Sequence, residues 1–125
     1  MVAEYLTDDR TWVTNIAWSN QGTLAFSSKS SAIYIAENPQ SAGGPPIVLK
    51  LQPHLHLSAM IFQDKTILGV GHDGALLAVE NVNGHWTAHN KPPIKCHGNV
   101  SCIKGMRNKG VSISGSQGLF QIVQL

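Results

Sequence analysis

Three segments of this chain repeat one pattern at nearly constant spacing, and that repeat limits the folds open to it. The first runs Trp12-Val13-Thr14-Asn15-Ile16-Ala17-Trp18, then Thr23-Leu24-Ala25-Phe26-Ser27-Ser28, then Ala32-Ile33-Tyr34-Ile35. The second runs Leu57-Ser58-Ala59-Met60-Ile61-Phe62, then Ile67-Leu68-Gly69-Val70-Gly71, then Ala75-Leu76-Leu77-Ala78-Val79. The third runs Val100-Ser101-Cys102-Ile103, then Val111-Ser112-Ile113-Ser114-Gly115, then Leu119-Phe120-Gln121-Ile122-Val123. Val13 to Leu57 is 44 residues, and Leu57 to Val100 is 43.

Each unit reads as three short strands and a weaker fourth, because the apolar runs are brief and bounded by turn residues. Asn20-Gln21-Gly22, Gln63-Asp64-Lys65 and Arg107-Asn108-Lys109-Gly110 join first strands to second ones. Lys29-Ser30-Ser31, His72-Asp73-Gly74 and Ser116-Gln117-Gly118 join second to third, with Gly74 and Gly118 free to take a positive φ. The fourth strands are expected at 47–51 and 86–88. No stretch keeps a 3.6-residue period over three turns, so very little helix is expected.

Four-stranded units repeating every ~40–45 residues are the mark of β-propeller blades. The expected fold is therefore all-β: a partial WD-repeat β-propeller of three four-stranded antiparallel blades, at 12–51, 55–90 and 97–125, as part of a seven-bladed ring. Small residues in the second strands fit the crowding near a propeller axis. The Trp-Asp pair that ends a typical third strand is replaced by Ala36-Glu37, Val79-Glu80 and Val123-Gln124. Three blades cannot close a ring of four to eight. The expectation is a fragment, a split subunit or a truncated gene model, with two blade faces bare unless it oligomerises or meets a partner half.

Composition narrows the function classes. Charged residues are 13% and hydrophobic ones 42% of the 125, too little charge for a solvating disordered tail. Polar residues, Gly or Pro break every apolar run well short of the ~18 residues of a membrane span. The opening MVAEYLTDDR is acidic where a signal peptide is basic, and two cysteines, Cys96 and Cys102, do not make a disulfide scaffold. A reducing, intracellular setting is expected. Residues 1–80 hold four basic and seven acidic side chains, whereas 81–125 hold Lys91, Lys95, Lys104, Arg107 and Lys109 and no acid. Such a one-signed stretch attracts acidic partners, or is simply a solvated edge. Lys91, Lys95 and Trp86 are the candidate partner-binding residues.

Catalytic chemistry has no support in the pattern. His54-Leu55-His56 and Cys96-His97 lack the four-ligand spacing of structural zinc, and read as loop residues. Ser27-Ser28 and Ser30-Ser31 have no defined base, and the glycine pairs lack a strand-to-helix context. No enzyme, metal or cofactor is expected. Trp18 matches Phe62 in phase and is expected in the core, while Trp12 and Trp86 open strands and are expected at packing surfaces or half exposed.

The lead-in Glu4-Tyr5-Leu6 with Trp12-Val13, the step Trp18-Ser19-Asn20-Gln21-Gly22-Thr23-Leu24-Ala25, the turn Val70-Gly71-His72-Asp73 after Leu55 to Phe62, and the run His97-Gly98-Asn99-Val100 to Leu119-Phe120-Gln121-Ile122 carry a family resemblance. The chain resembles the last three blades of the WD-repeat subunit family, subunit 1, of the actin-related protein 2/3 complex. The resemblance implies a non-enzymatic scaffold in branched actin nucleation, in the cytoplasm and actin cytoskeleton. It implies contacts with other subunits of that complex, notably subunits 4 and 5, and with actin and acidic activator segments. The turn His72-Asp73-Gly74 is expected to be structural, with Asp73 accepting backbone hydrogen bonds. That family carries a long insert before its last blade, which here is only His89 to Cys96. The alternatives are a generic WD-repeat adaptor in another assembly, or a nucleic-acid-binding propeller fragment. The modest charge and the lack of interleaved aromatics argue against nucleic acid.

Overall fold

Short runs of branched and aromatic residues between turns form strands, and the described residues contain no α-helix. The computed structural model describes residues 4–7, 10–37, 39, 46–51, 55–71, 75–95, 100–105, 110–115 and 120–124. The first sheet orders β1 (Val13–Trp18), β2 (Leu24–Ser28), β3 (Ala32–Ala36) and β4 (Ile47–Lys50). The second orders β5 (Leu57–Gln63), β6 (Thr66–Gly71), β7 (Ala75–Val82) and β8 (His85–Lys95). The third, among the described residues, orders β9 (Val100–Gly105), β10 (Gly110–Gly115) and β11 (Phe120–Gln124). All pairings are antiparallel.

The sheets stand side by side through their first strands, β1 against β5 and β5 against β9, while β4 and β8 touch only slightly. This is an all-β, propeller-like arrangement. Each first strand also slips register once, near its start. The extra residue is Thr14 between Val13 and Asn15, Ser58 between Leu57 and Ala59, and Ser101 between Val100 and Cys102. One repeated β-bulge therefore re-aims each first strand at the same point.

Strand alternation decides which face meets which sheet. From the second sheet, Leu57, Met60, Ile67, Leu77 and Val79 pack with Ala17, Ala25, Ile33 and Ile35 of the first. On the opposite face, Ala59, Leu68, Val70, Leu76 and Ala78 pack with Ile103 and Ile113 of the third, joined by Ile61. The sheets meet through their first strands, and two glycines keep tight points open, Gly69 within the second sheet and Gly105 where the third sheet meets the second. A Cβ at Gly69 would come 3.0 Å from a Leu57 methyl, and one at Gly105 would collide with the amide end of Gln63. Asn15 ties the first two sheets together, its Nδ2 donating to Leu57 O at 2.9 Å and Ser27 Oγ at 3.0 Å.

Several expectations need correction. Trp18 is not core: it is 56% exposed, because no sheet stands in front of β1 on that side. The far flank of the first sheet is nonetheless only partly bare. Phe26, Ala32 and Tyr34 are buried there with Tyr5 and Leu24 against them, and Phe26 stacks on Tyr34 with centroids 5.0 Å apart. The lead-in thus covers the centre of the flank and leaves its inner edge open.

The connection expected after residue 88 is largely strand, since β8 runs to Lys95. Its register jumps from Leu77 opposite Asn90 to Ala75 opposite Lys95. Pro92 and Pro93 lie in that jump on an edge strand, where no ladder hydrogen bond is asked of them. Asn83 (φ 54°) and Gly84 (φ 88°) form the two-residue turn into β8. The Asn-Gly pair signals such a hairpin in sequence. Residues 72–74, 106–109 and 116–119 lie outside the described residues, and with them the turn expected at His72-Asp73-Gly74.

Candidate functional site

A partly open cleft of about 210 Å³ lies between the first and second sheets, at the end that carries the β1–β2, β5–β6 and β7–β8 turns. Its first wall is the loop from Ser19 to Thr23. Ser19 Oγ accepts from the N–H groups of Gln21 (3.2 Å) and Thr23 (2.9 Å), and Ser19 N–H donates to Thr23 O at 2.9 Å. Gly22, with φ 86°, closes the loop at no steric cost. This side chain-to-backbone lock fixes the rim before any ligand arrives.

The second wall comes from Phe62, Lys65, Asn81 and Trp86. The register places Trp86 opposite Asn81, on the side facing the first sheet, and its ring packs on the core between the two sheets. The indole Nε1–H is buried and meets no acceptor. Leaving such a donor unpaired costs about 1–3 kcal/mol. Glu37, at the end of β3, and Lys65, in the tight turn after β5, give the rim one charge of each sign. The cleft offers amides, a hydroxyl-bearing turn and two aromatic rings, which suits a short polar chain segment with an apolar anchor.

Of the sequence-predicted residues, Trp86 is in this cleft. Lys91 and Lys95 fall on β8 beyond it, Lys91 within the register jump and Lys95 opposite Ala75; only the backbone is described there. His72, Asp73, Gly74, His54, Cys96 and His97 lie outside the described residues. His56 is exposed, and among the described residues no three of His, Cys, Asp and Glu gather as a metal site. Trp12 is 73% exposed, with Lys29 Nζ 4.3 Å from its ring centroid, a cation–π pair at the opposite end of β1. Sequence reasoning missed the cleft because its walls belong to different repeats. The signal that could have found half of it is Asn83-Gly84, which fixes where Trp86 begins β8.

No protein-family model matches this chain, and no curated protein sequence does. Among solved structures, the chain is similar to the crystal structure of the computationally designed Ika4 protein, at 11% identity and a TM-score of 0.55. That match spans 100% of this chain and 98% of the other, and at such low identity it speaks for the all-β fold alone.

Proposed function

We propose that this chain is a non-enzymatic interaction scaffold. The observation that carries the reading is the cleft, where turns from two sheets frame aromatic rings and polar side chains on a fixed β platform. Loops held by rigid sheets are the usual place for partner recognition. A partner segment entering there would lay an apolar side chain on Phe62 and offer carbonyl oxygens to the exposed Asn81 amide. The basic stretch from Lys91 onward would add attraction for acidic segments.

The specific assembly we propose is the actin-related protein 2/3 complex, on the strength of the sequence resemblance alone. In that role the chain would support branched actin nucleation in the cytoplasm, alongside subunits 4 and 5. Co-expression with the other subunits, read by native mass spectrometry, tests this. The reading expects the chain to be retained with subunits 4 and 5; a complex assembling without it would overturn the assignment. A generic adaptor in another assembly is the second reading. The observation favouring it is that β8 occupies the place of the family's long insert.

A further inference from the structure

We propose that a second copy of this chain docks on the free flank of the first sheet, head to tail, so that two copies close a ring of six sheets. The starting point is an exposed apolar stripe. Val13, Ile16 and Trp18 are 47%, 63% and 56% exposed. By register they pair with Ser28, Phe26 and Leu24, the side of the sheet that faces away from the second sheet. Contiguous apolar surface of this kind marks an association site.

The repeat identifies what the stripe is built to meet. Val13, Ile16 and Trp18 are each 44 residues before Leu57, Met60 and Phe62. Those three insert against Ala17, Ala25, Ile33 and Ile35, the face of the sheet in front of them. The free stripe is therefore the inserting side of the same junction, lacking a receiving sheet. The receiving positions recur too. Ala17 paired with Ala25 corresponds to Ile61 paired with Leu68 and to Lys104 paired with Ser112. In the third sheet, Ile103 and Ile113 face the second sheet, so alternation turns Lys104 and Ser112 to the far side, where Lys104 is exposed. One copy thus carries an unfilled inserting side at one end and an unfilled receiving side at the other.

Charge fits the same pairing. In sequence, residues 4–10 hold Glu4, Asp8 and Asp9 against Arg10, whereas the stretch from 81 onward holds five cations and no acid. Tyr5 lies over Phe26, with ring centroids 6.1 Å apart, which puts its neighbour Glu4 near the docking flank. Opposite charges on head and tail favour this docking order over head to head. Six sheets fall within the four to eight of closed propellers, and a head-to-tail contact that closes makes a ring rather than a filament. The receiving pair Lys104 and Ser112 is more polar than Ala17 and Ala25, so the contact should be reversible and weaken with salt.

This inference rests on sheet packing and not on the scaffold reading, so either can fail without the other. The test is the mass in solution across a dilution series of the full chain, by analytical ultracentrifugation. Twice the single-chain mass is expected at high concentration, with dissociation shifted at least about tenfold by Ile16→Asp and by Lys104→Glu. An equimolar mixture of the two variants should associate more tightly than either alone, because one wild-type junction is restored. That rescue also shows that both variants fold. A monomer at every concentration, or unbounded polymer growth, would overturn the closed dimer. A dimer broken by Ile16→Asp but indifferent to Lys104→Glu, with no rescue on mixing, would mean stripe-to-stripe contact and overturn it as well.

Discussion

Met60 and Ile16 occupy the same place in successive repeats, yet Met60 is 5% exposed and Ile16 is 63% exposed. Phe62 and Trp18 differ in the same direction, one packed against the core between sheets and the other 56% exposed. Residue type does not explain this, since all four are large and apolar. The difference is whether a receiving sheet stands in front of the strand. The fold thus repeats the same junction chemistry three times and fills it twice.

The largest expected effect follows from that contrast. Met60→Ala should cost about 2–4 kcal/mol in denaturant unfolding, because it empties a close-packed site. At dilutions where the chain is monomeric, Ile16→Ala should stay within about 0.5 kcal/mol. Equal losses at the two positions would break the comparison.

The Asn15 amide comes next. Its bond to Leu57 O spans the first two sheets, and the matching positions Ala59 and Cys102 have no such group. Asn15→Ala should cost about 1–2 kcal/mol, since it strands a carbonyl at the junction. A neutral result would mean that water replaces the amide there. Gly105→Ala is expected to cost about 1 kcal/mol through the collision with Gln63. Adding Gln63→Ala should recover most of that loss, as coupled neighbours are not additive. Strict additivity would place the crowding elsewhere.

The smallest effect is expected at Trp86→Phe. It removes the indole donor that meets no acceptor and keeps most of the ring packing, so free-chain stability should move by less than about 1 kcal/mol. Partner retention in the co-expression assay should not change, because that donor is enclosed beyond a partner's reach. A fall in retention without loss of stability would mean that the cleft opens to present the indole donor to the partner.

Much of the fold was readable from turn residues and apolar runs, because hairpin strands need only local chemistry to declare themselves. Strand positions along 13–36 and 57–79 follow directly from such runs. What failed was anything that depends on a neighbouring sheet. Trp18 has the pattern of a core residue, and only the empty space before β1 makes it exposed. The length of β8 escaped because Pro92-Pro93 reads as a loop, whereas a register jump on an edge strand tolerates both. The recurring bulge at Thr14, Ser58 and Ser101 is a matter of register, which the residue types alone do not reveal. At the site, Trp86 was legible as a strand-opening aromatic, but the cleft around it is made by turns far apart in the chain.

The central claim is that Val13, Ile16 and Trp18 form the unfilled counterpart of the junction closed by Leu57, Met60 and Phe62. Hydroxyl-radical footprinting with mass spectrometry tests this most directly, using 73%-exposed Trp12 as the internal reference for an accessible ring. The account predicts that in dilute solution Trp18 is modified at a rate close to that of Trp12, while Met60 is protected despite its reactive thioether. Trp18 should then become protected as concentration rises into the dimer range. Met60 oxidised as fast as Trp18 is modified, in chain that is otherwise folded, would contradict it.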